Sequence, residues 1–224
     1  PLEYVKLDGE KVYPQAIDFT SFPIEGKGIA HHFHTADQKI TLGQRIKDLA
    51  WHAPSQRLCV ARGTHPYLLH YAGENTPQRL ELLTEKRTYA CAFTPAGKIW
   101  LGHIDGLAQY TQQGGYQAVA TPNILQGIYV QELVFDPNTR TLWIGTDGRG
   151  LIAYQEGNAF VVEGTAGLSI NDLHLHEGVL LAATNKGVKQ IRIANPLEST
   201  YIARSYGIRE GLPSVEAHAI VEDN

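Results

Sequence analysis

The stretch Leu142-Trp143-Ile144-Gly145-Thr146-Asp147-Gly148-Arg149-Gly150-Leu151-Ile152-Ala153-Tyr154 decides how the rest of the chain is read. Two short apolar runs, 142–144 and 151–154, flank Asp147-Gly148-Arg149-Gly150. Glycine reaches positive φ without a Cβ clash, so the stretch predicts a β-hairpin. The hairpin recurs. Ile99-Trp100-Leu101-Gly102-His103-Ile104-Asp105-Gly106-Leu107-Ala108-Gln109-Tyr110 is a second copy, Leu180 to Val188 a third, and Leu58 to Tyr71 a degenerate fourth. Repetition of this kind takes precedence over any single motif.

The copies register on apolar pairs spaced i, i+2: Leu49 and Trp51, Cys91 and Phe93, Leu133 and Phe135, Leu173 and Leu175. Trp51, Phe93, Phe135 and Leu175 follow one another at 42, 42 and 40 residues. Each unit reads as an inner strand, a turn, the Trp strand, the Gly turn, the Tyr strand and a weaker outer strand. Four antiparallel strands in about 42 residues is the length of a β-propeller blade. The chain is therefore expected to be all-β, a single propeller domain or fragment over 1–224 with about five blades' worth of sequence. Blades are expected at 46–86, 87–127, 128–168 and 169–211, with 212–224 opening a next blade and 1–44 an incomplete one. Within 1–44, Glu3 to Leu7, Lys11 to Tyr13, Ala16 to Phe19 and Ile29 to Thr35 have strand-like composition. Helical periodicity is absent, which argues against helix-pair repeats; a solenoid of four-stranded units is the structural rival.

The repeated residues have packing reasons. Trp100 and Trp143 are expected to bury large area between sheets, Gly102 and Gly145 to let the adjacent blade approach, and the apolar pairs to line the inner layer.

Composition narrows the function classes. Charged residues make up 19% of the chain, hydrophobic ones 43%, and the formal net charge is −4. That is no electrostatic footprint for nucleic acid or an anionic membrane surface. No run of 18 apolar residues exists, so a membrane is expected only through segments outside this chain. The two cysteines, Cys59 and Cys91, fall in apolar strand runs and read as small buried residues, which leaves the redox compartment open. The chain opens at Pro1 and stops at Asn224 within a repeat, so both ends are expected to be cuts in a longer protein.

Residues 142–154 resemble the signature of the two-component regulator propeller repeat, L-W-I-G-T, a Gly-rich turn, then G-L-x-x-Y. Gly207-Ile208-Arg209-Glu210-Gly211-Leu212-Pro213-Ser214 through Ala219-Ile220-Val221-Glu222-Asp223 resembles that family's connection between blades. Cys59 and Leu181 stand where the signature has tryptophan, and Ala61 and Ala183 where it has glycine. WD40 and kelch repeats fit less well, for want of a strand-ending Trp-Asp pair and of a Gly-Gly pair. The resemblance implies an extracytoplasmic sensor region, periplasmic or extracellular, of a bacterial signalling receptor. Such propellers typically precede a Y-rich β-sandwich, a membrane helix and a histidine kinase or other output domain, and many are linked to glycan use.

Strand order gives one site inference. In an antiparallel blade the Gly turn and the connection to the next blade open at the same end. That rim collects His65, Tyr67, His103, Asp105, Asp147, Arg149, Asn185 and Lys186 from the turns, with Tyr129 and Asn171 near the connections. Carboxylate, basic, amide and aromatic groups around a funnel suit an oligosaccharide or other small polar ligand. No cofactor is expected and no catalytic residue is assigned, since the chain has no G-x-S-x-G elbow, P-loop or dinucleotide fingerprint. Metal binding is also not assigned: Asp172, His174 and His176 share a strand face, and His31, His32 and His34 cluster, but the repeat register gives the former packing positions. The reading is a non-catalytic sensor. Its rivals are an interaction scaffold that homodimerises through the propeller or an adjoining domain, and a rim-site carbohydrate-active hydrolase or lyase, for which Asp105 and Asp147 are the carboxylates to test.

Overall fold

A strand covered on both faces must be apolar or small at every position, not at alternate ones. β13 (Thr141–Thr146) meets that condition, and β9 (Ile99–His103) meets it at every position but His103; both are buried along their whole length. They carry Trp100 and Trp143.

The computed structural model describes residues 3–8, 11–16, 24–25, 46–73, 77–119 and 123–221. The chain divides into two units, Pro1–Thr88 and Tyr89–Asn224. In the first, β1 (Glu3–Asp8) and β2 (Lys11–Ala16) form an antiparallel hairpin with Glu3 opposite Ala16. A second sheet contains β4 (Ile46–His52), β5 (Arg57–Arg62), β6 (Tyr67–His70) and β7 (Arg79–Leu82) in antiparallel sequence order. The short β3 (Ile24–Glu25) runs parallel to β7 at its edge. The strands expected at 17–19 and 29–35, and His31, His32 and His34, lie outside the described residues.

Among its described residues the second unit has three sheets of four antiparallel strands each, in sequence order. They are β8 (Thr88–Phe93), β9, β10 (Gly106–Thr111) and β11 (Gly115–Ala118); β12 (Val130–Asp136), β13, β14 (Leu151–Gln155) and β15 (Asn158–Val161); and β16 (Ile170–His176), β17 (Val179–Thr184), β18 (Gly187–Ile193) and β19 (Thr200–Tyr206). These are propeller blades, as the 42-residue period predicts. We number the blades 1 (β4–β7) to 4 (β16–β19). Inner strands β4, β12 and β16 carry a bulge at the same repeat position, after Ile46, Val130 and Ile170. A bulge bends the strand and re-aims one side chain.

Packing within the second unit follows the repeat. Trp100, Leu107, Ala90 and Ala92 of blade 2 meet Leu133, Leu142, Ile144, Ile152 and Tyr154 of blade 3. Trp143, Leu151 and Ala153, on the opposite face of blade 3, meet Ile170, Leu173, Leu180 and Ala182 of blade 4. The glycines behave as expected. A Cβ on Gly102 would fall on the Val130 side chain of the next blade, and one on Gly145 would lie 3.0 Å from Ile170 Cγ2.

One expectation fails in blade 1. Leu49 and Trp51, registered as inner-layer residues, are 50% and 52% exposed. Their counterparts Leu133 and Phe135 are covered because blade 2 packs against that face of blade 3. Among the described residues no buried cluster includes Leu49 or Trp51; blade 1 instead gathers its core on Val60, Tyr67, Leu69 and Leu80. Repeat register sets which face a side chain occupies, and a neighbouring sheet sets whether that face is dry.

Candidate functional site

The strand order places the β9–β10, β13–β14 and β17–β18 turns at one end of the second unit, together with the connections between blades. Hydrogen bonds join the two sets: Asp147 N donates to Tyr129 O at 3.1 Å, Gly150 N to Leu168 O at 2.9 Å, and Asn185 N to Ser169 O at 3.1 Å. The Gly turns and the blade connections of this unit therefore meet at one end.

Several of its residues are engaged in stitching blades together. Ser169 is the hub. Its hydroxyl donates to Asp147 Oδ1 at 2.8 Å, and its backbone N–H donates to Asn185 Oδ1 at 3.2 Å. Asn171, at the bulge of β16, donates through Nδ2 to Ala217 O at 2.8 Å and to Glu216 Oε1 at 3.3 Å. Asp172 Oδ2 accepts from Ile220 N at 2.6 Å, and Thr184 O accepts from Ala217 N at 3.0 Å. Residues 212–221, which contain no strand, are thus held along blade 4 where a next inner strand would begin.

The structure brings Tyr129, Asp147 and Asn185 onto one seam. Tyr129 packs edge-on against Tyr89 with ring centroids 4.5 Å apart. Burial first, then Tyr89 and the Asp147 carboxylate, push the Tyr129 phenol up to about 12. His103 is only 2% exposed, with Nε2 at 3.3 Å from Tyr116 Oη, so its ring faces the interior of blade 2. Asp105, Arg149 and Lys186 are exposed on their turns. In the first unit, His65 is half-buried on the β5–β6 connection, and Tyr67 is buried beneath Arg62, whose Cζ lies 5.8 Å from the ring centroid. The Tyr67 phenol is raised by burial, against a lowering influence of Arg62. His174 and His176 stack with centroids 6.4 Å apart, while Asp172 turns its carboxylate to backbone amides.

Sequence reasoning did not find a cleft at the opposite end of the second unit. It opens between blades 2 and 3, beside the β8–β9, β12–β13 and β14–β15 turns, with a volume of about 480 Å³. Trp100, Phe135 and Tyr154 form its apolar side, and Lys98, Arg140 and Glu156 supply charge. Trp100 and Tyr154 meet edge to face at 5.5 Å. Lys98 Nζ sits 4.9 Å from the Trp100 ring centroid, and Arg140 pairs with Glu156 at 3.7 Å. Burial first, and then the Arg140 charge, lower the Lys98 ammonium pKa. One signal was present in sequence: the β12–β13 turn carries Arg140 at φ 58° where the β8–β9 turn has Gly97 at φ 79°. Such a substitution places a long cation at a position that favours glycine.

The fold and these seams define a class, repeat β-propellers. No family model and no curated protein matches the chain by sequence. Solved structures do match it. Two are crystal structures of the extracellular domain of BT4673 from B. thetaiotaomicron, described in one as a one-component and in the other as a hybrid two-component system. They are 20% and 21% identical over 77% of this chain, each with TM-score 0.60. A third, virginiamycin B lyase from Staphylococcus aureus, is 13% identical over 67% of this chain and 53% of the lyase, with TM-score 0.50. The chain spans 24% of the length of the two BT4673 domains. At these identities the shared property is the fold. No helix among the described residues is long and apolar enough to cross a membrane.

Proposed function

We propose that this chain is part of the extracytoplasmic, non-catalytic sensing propeller of a bacterial membrane-associated signalling receptor, and that its ligand derives from a polysaccharide. The observation that carries the reading is a convergence. The 142–154 repeat resembles the two-component regulator propeller signature, and the blades it builds share their fold with extracellular domains described as one- and two-component systems. Binding without turnover suffices for such a role. A ligand that favours one arrangement of the propeller relative to its neighbours shifts the receptor's state by its differential affinity.

The test is a thermal-shift screen of the purified chain against oligosaccharides of several polysaccharide classes. A dose-dependent rise with one class, without product formation, supports sensing by native-state binding. Product formation would favour the carbohydrate-active reading, for which the lyase neighbour gives fold precedent only. Absence of any shift from a well-folded sample would overturn the saccharide reading.

One feature favours the interaction scaffold as a second reading. Leu49 and Trp51 place two large apolar side chains, each half exposed, on one face of β4. Sedimentation analysis of the chain and of its Trp51→Ser variant tests it, since a dimer formed through that face would be lost in the variant.

A further inference from the structure

The cleft between blades 2 and 3 holds a charge arrangement that its own residues leave unbalanced. Arg140 and Glu156 offset one another through a long contact at the surface, both side chains being about three-quarters exposed. Lys98 has no carboxylate within ion-pair distance among the described residues, and its ammonium rests on the Trp100 face. It is partly desolvated and lies within the field of the like-charged Arg140. A cation so placed gains from an incoming anion twice, by direct attraction and by relief of repulsion from its neighbour. Beside the cations, Phe135 and Pro137 extend an apolar wall continuous with Trp100 and Tyr154. An apolar wall suits the C–H face of a pyranose, and a guanidinium and an ammonium at its edge suit a carboxylate or sulfate on that ring. The volume, about 480 Å³, falls within the range of small-ligand sites, roughly 300–1,000 Å³.

We infer that this cleft, at the end of the second unit opposite the rim of Gly turns, binds an acidic saccharide, with Lys98 and Arg140 meeting its anionic group and Phe135 flanking its ring. The inference rests on the saccharide-sensing reading and names both the place and the charge of the ligand. Arg140 holds the bidentate position, because its planar fork matches two oxygens of one anion. Glu156 is the residue the anion displaces from Arg140.

Calorimetric titration of the chain separates the outcomes, using trigalacturonate, its methyl ester and a sulfated chondroitin disaccharide. The expected result is binding of trigalacturonate or of the sulfated disaccharide, the pair deciding between carboxylate and sulfate. The methyl ester should bind at least about tenfold more weakly than trigalacturonate if carboxylate is the group read. Lys98→Gln and Arg140→Gln should each lose about tenfold or more in affinity, and Glu156→Gln should gain affinity. Circular dichroism confirms that each variant is folded, as expected for exchanges of partly exposed polar groups. Acidic-saccharide binding that ignores Lys98→Gln and Arg140→Gln overturns the site. Binding of neutral saccharides only overturns the acidic ligand and leaves the sensing reading intact. Binding of no saccharide, neutral or acidic, overturns both.

Discussion

Val130 Cγ1 occupies the space that a side chain at Gly102 would need, so the Trp strand of blade 2 and the inner strand of blade 3 approach as closely as a bare Cα allows. Gly145 and Ile170 repeat the relationship one blade later, with more room: the atom nearest to an added Cβ would be Ile170 Cγ2 at 3.0 Å. Gly102→Ala is therefore expected to destabilise by about 1–3 kcal/mol through overpacking. The removal of an interior glycine works the other way by roughly 0.5–1 kcal/mol, so a net loss is diagnostic of the clash. Gly145→Ala should cost less than Gly102→Ala, and Val130→Ala should recover part of the Gly102→Ala loss. Urea unfolding of the two glycine variants and of the Gly102→Ala, Val130→Ala double variant measures all three effects; equal costs at both glycines would contradict the contact geometry.

The tryptophans differ sharply in what they support. Trp143 is fully buried between blades 3 and 4, and truncation to alanine is expected to cost about 3–5 kcal/mol. Trp143→Phe should cost clearly less, because the indole Nε1 is buried with no hydrogen-bond partner and its removal forfeits no bond. Trp51 is 52% exposed and touches the Tyr71 ring edge-on at 5.5 Å. Its truncation should cost about 1–2 kcal/mol. Thermal unfolding of the three variants orders them, and a Trp51→Ala loss as large as that of Trp143→Ala would show that Trp51 is covered in solution.

Alkaline pH should loosen the rim seam. The Tyr129 phenol titrates at about 12, raised by burial, by Tyr89 and by Asp147, against 10.0 for an ordinary tyrosine. A group whose folded pKa is raised lends stability that is complete below the unfolded value and is lost as pH climbs through the folded one. The Tyr129 contribution is thus present below pH 10 and disappears between pH 10 and about 12. Tyr129→Phe should flatten that part of the stability profile, and Asp147→Asn should lower the phenol's pKa. Tyrosinate absorbance titration of the three proteins reads both effects, and an unchanged high-pH step in Tyr129→Phe would reject the assignment.

The 212–221 segment is fastened by few groups. Asn171→Ala removes the side-chain bonds to Ala217 O and Glu216, leaving the backbone bond from Ala217 N to Thr184 O and the Asp172 contact to Ile220 N. Amide exchange across 212–221 should rise severalfold while protection in β16 and β17 changes little, since local opening needs only the local bonds. A matching loss of protection throughout blade 4 would mean that the segment is integral to the blade.

Much of the architecture is legible because its periodicity is written in residues with one physical use. Trp143 and Gly145 are two positions apart on one strand and therefore on one face, where the next blade must come close to a glycine and can bury an indole. The same positions in blade 1 hold Cys59 and Ala61, both fully buried even where the signature is lost. The rim was legible in outline, since antiparallel order alone brings the Gly turns to the blade connections. Which rim residues are available was not. Asp147 and Asn185 look like ligand groups in sequence, and it takes the position of Ser169, on another blade connection, to show them as inter-blade stitches.

By itself, the sequence determined the all-β class, the 42-residue unit, the two faces of each strand and the end of the blade at which each turn lies. Each of these follows from local rules: period-two alternation, the φ freedom of glycine, and the length of four short strands. The tertiary structure alone decided that Leu49 and Trp51 are exposed while Leu133 and Phe135 are covered, that His103 turns inward, and that Lys98, Arg140 and Tyr154 share a cleft. Burial and electrostatic pairing depend on what lies across a gap. Lys98 and Arg140 are 42 positions apart in the chain, and only the packing of one sheet on the next puts the second cation within the field of the first.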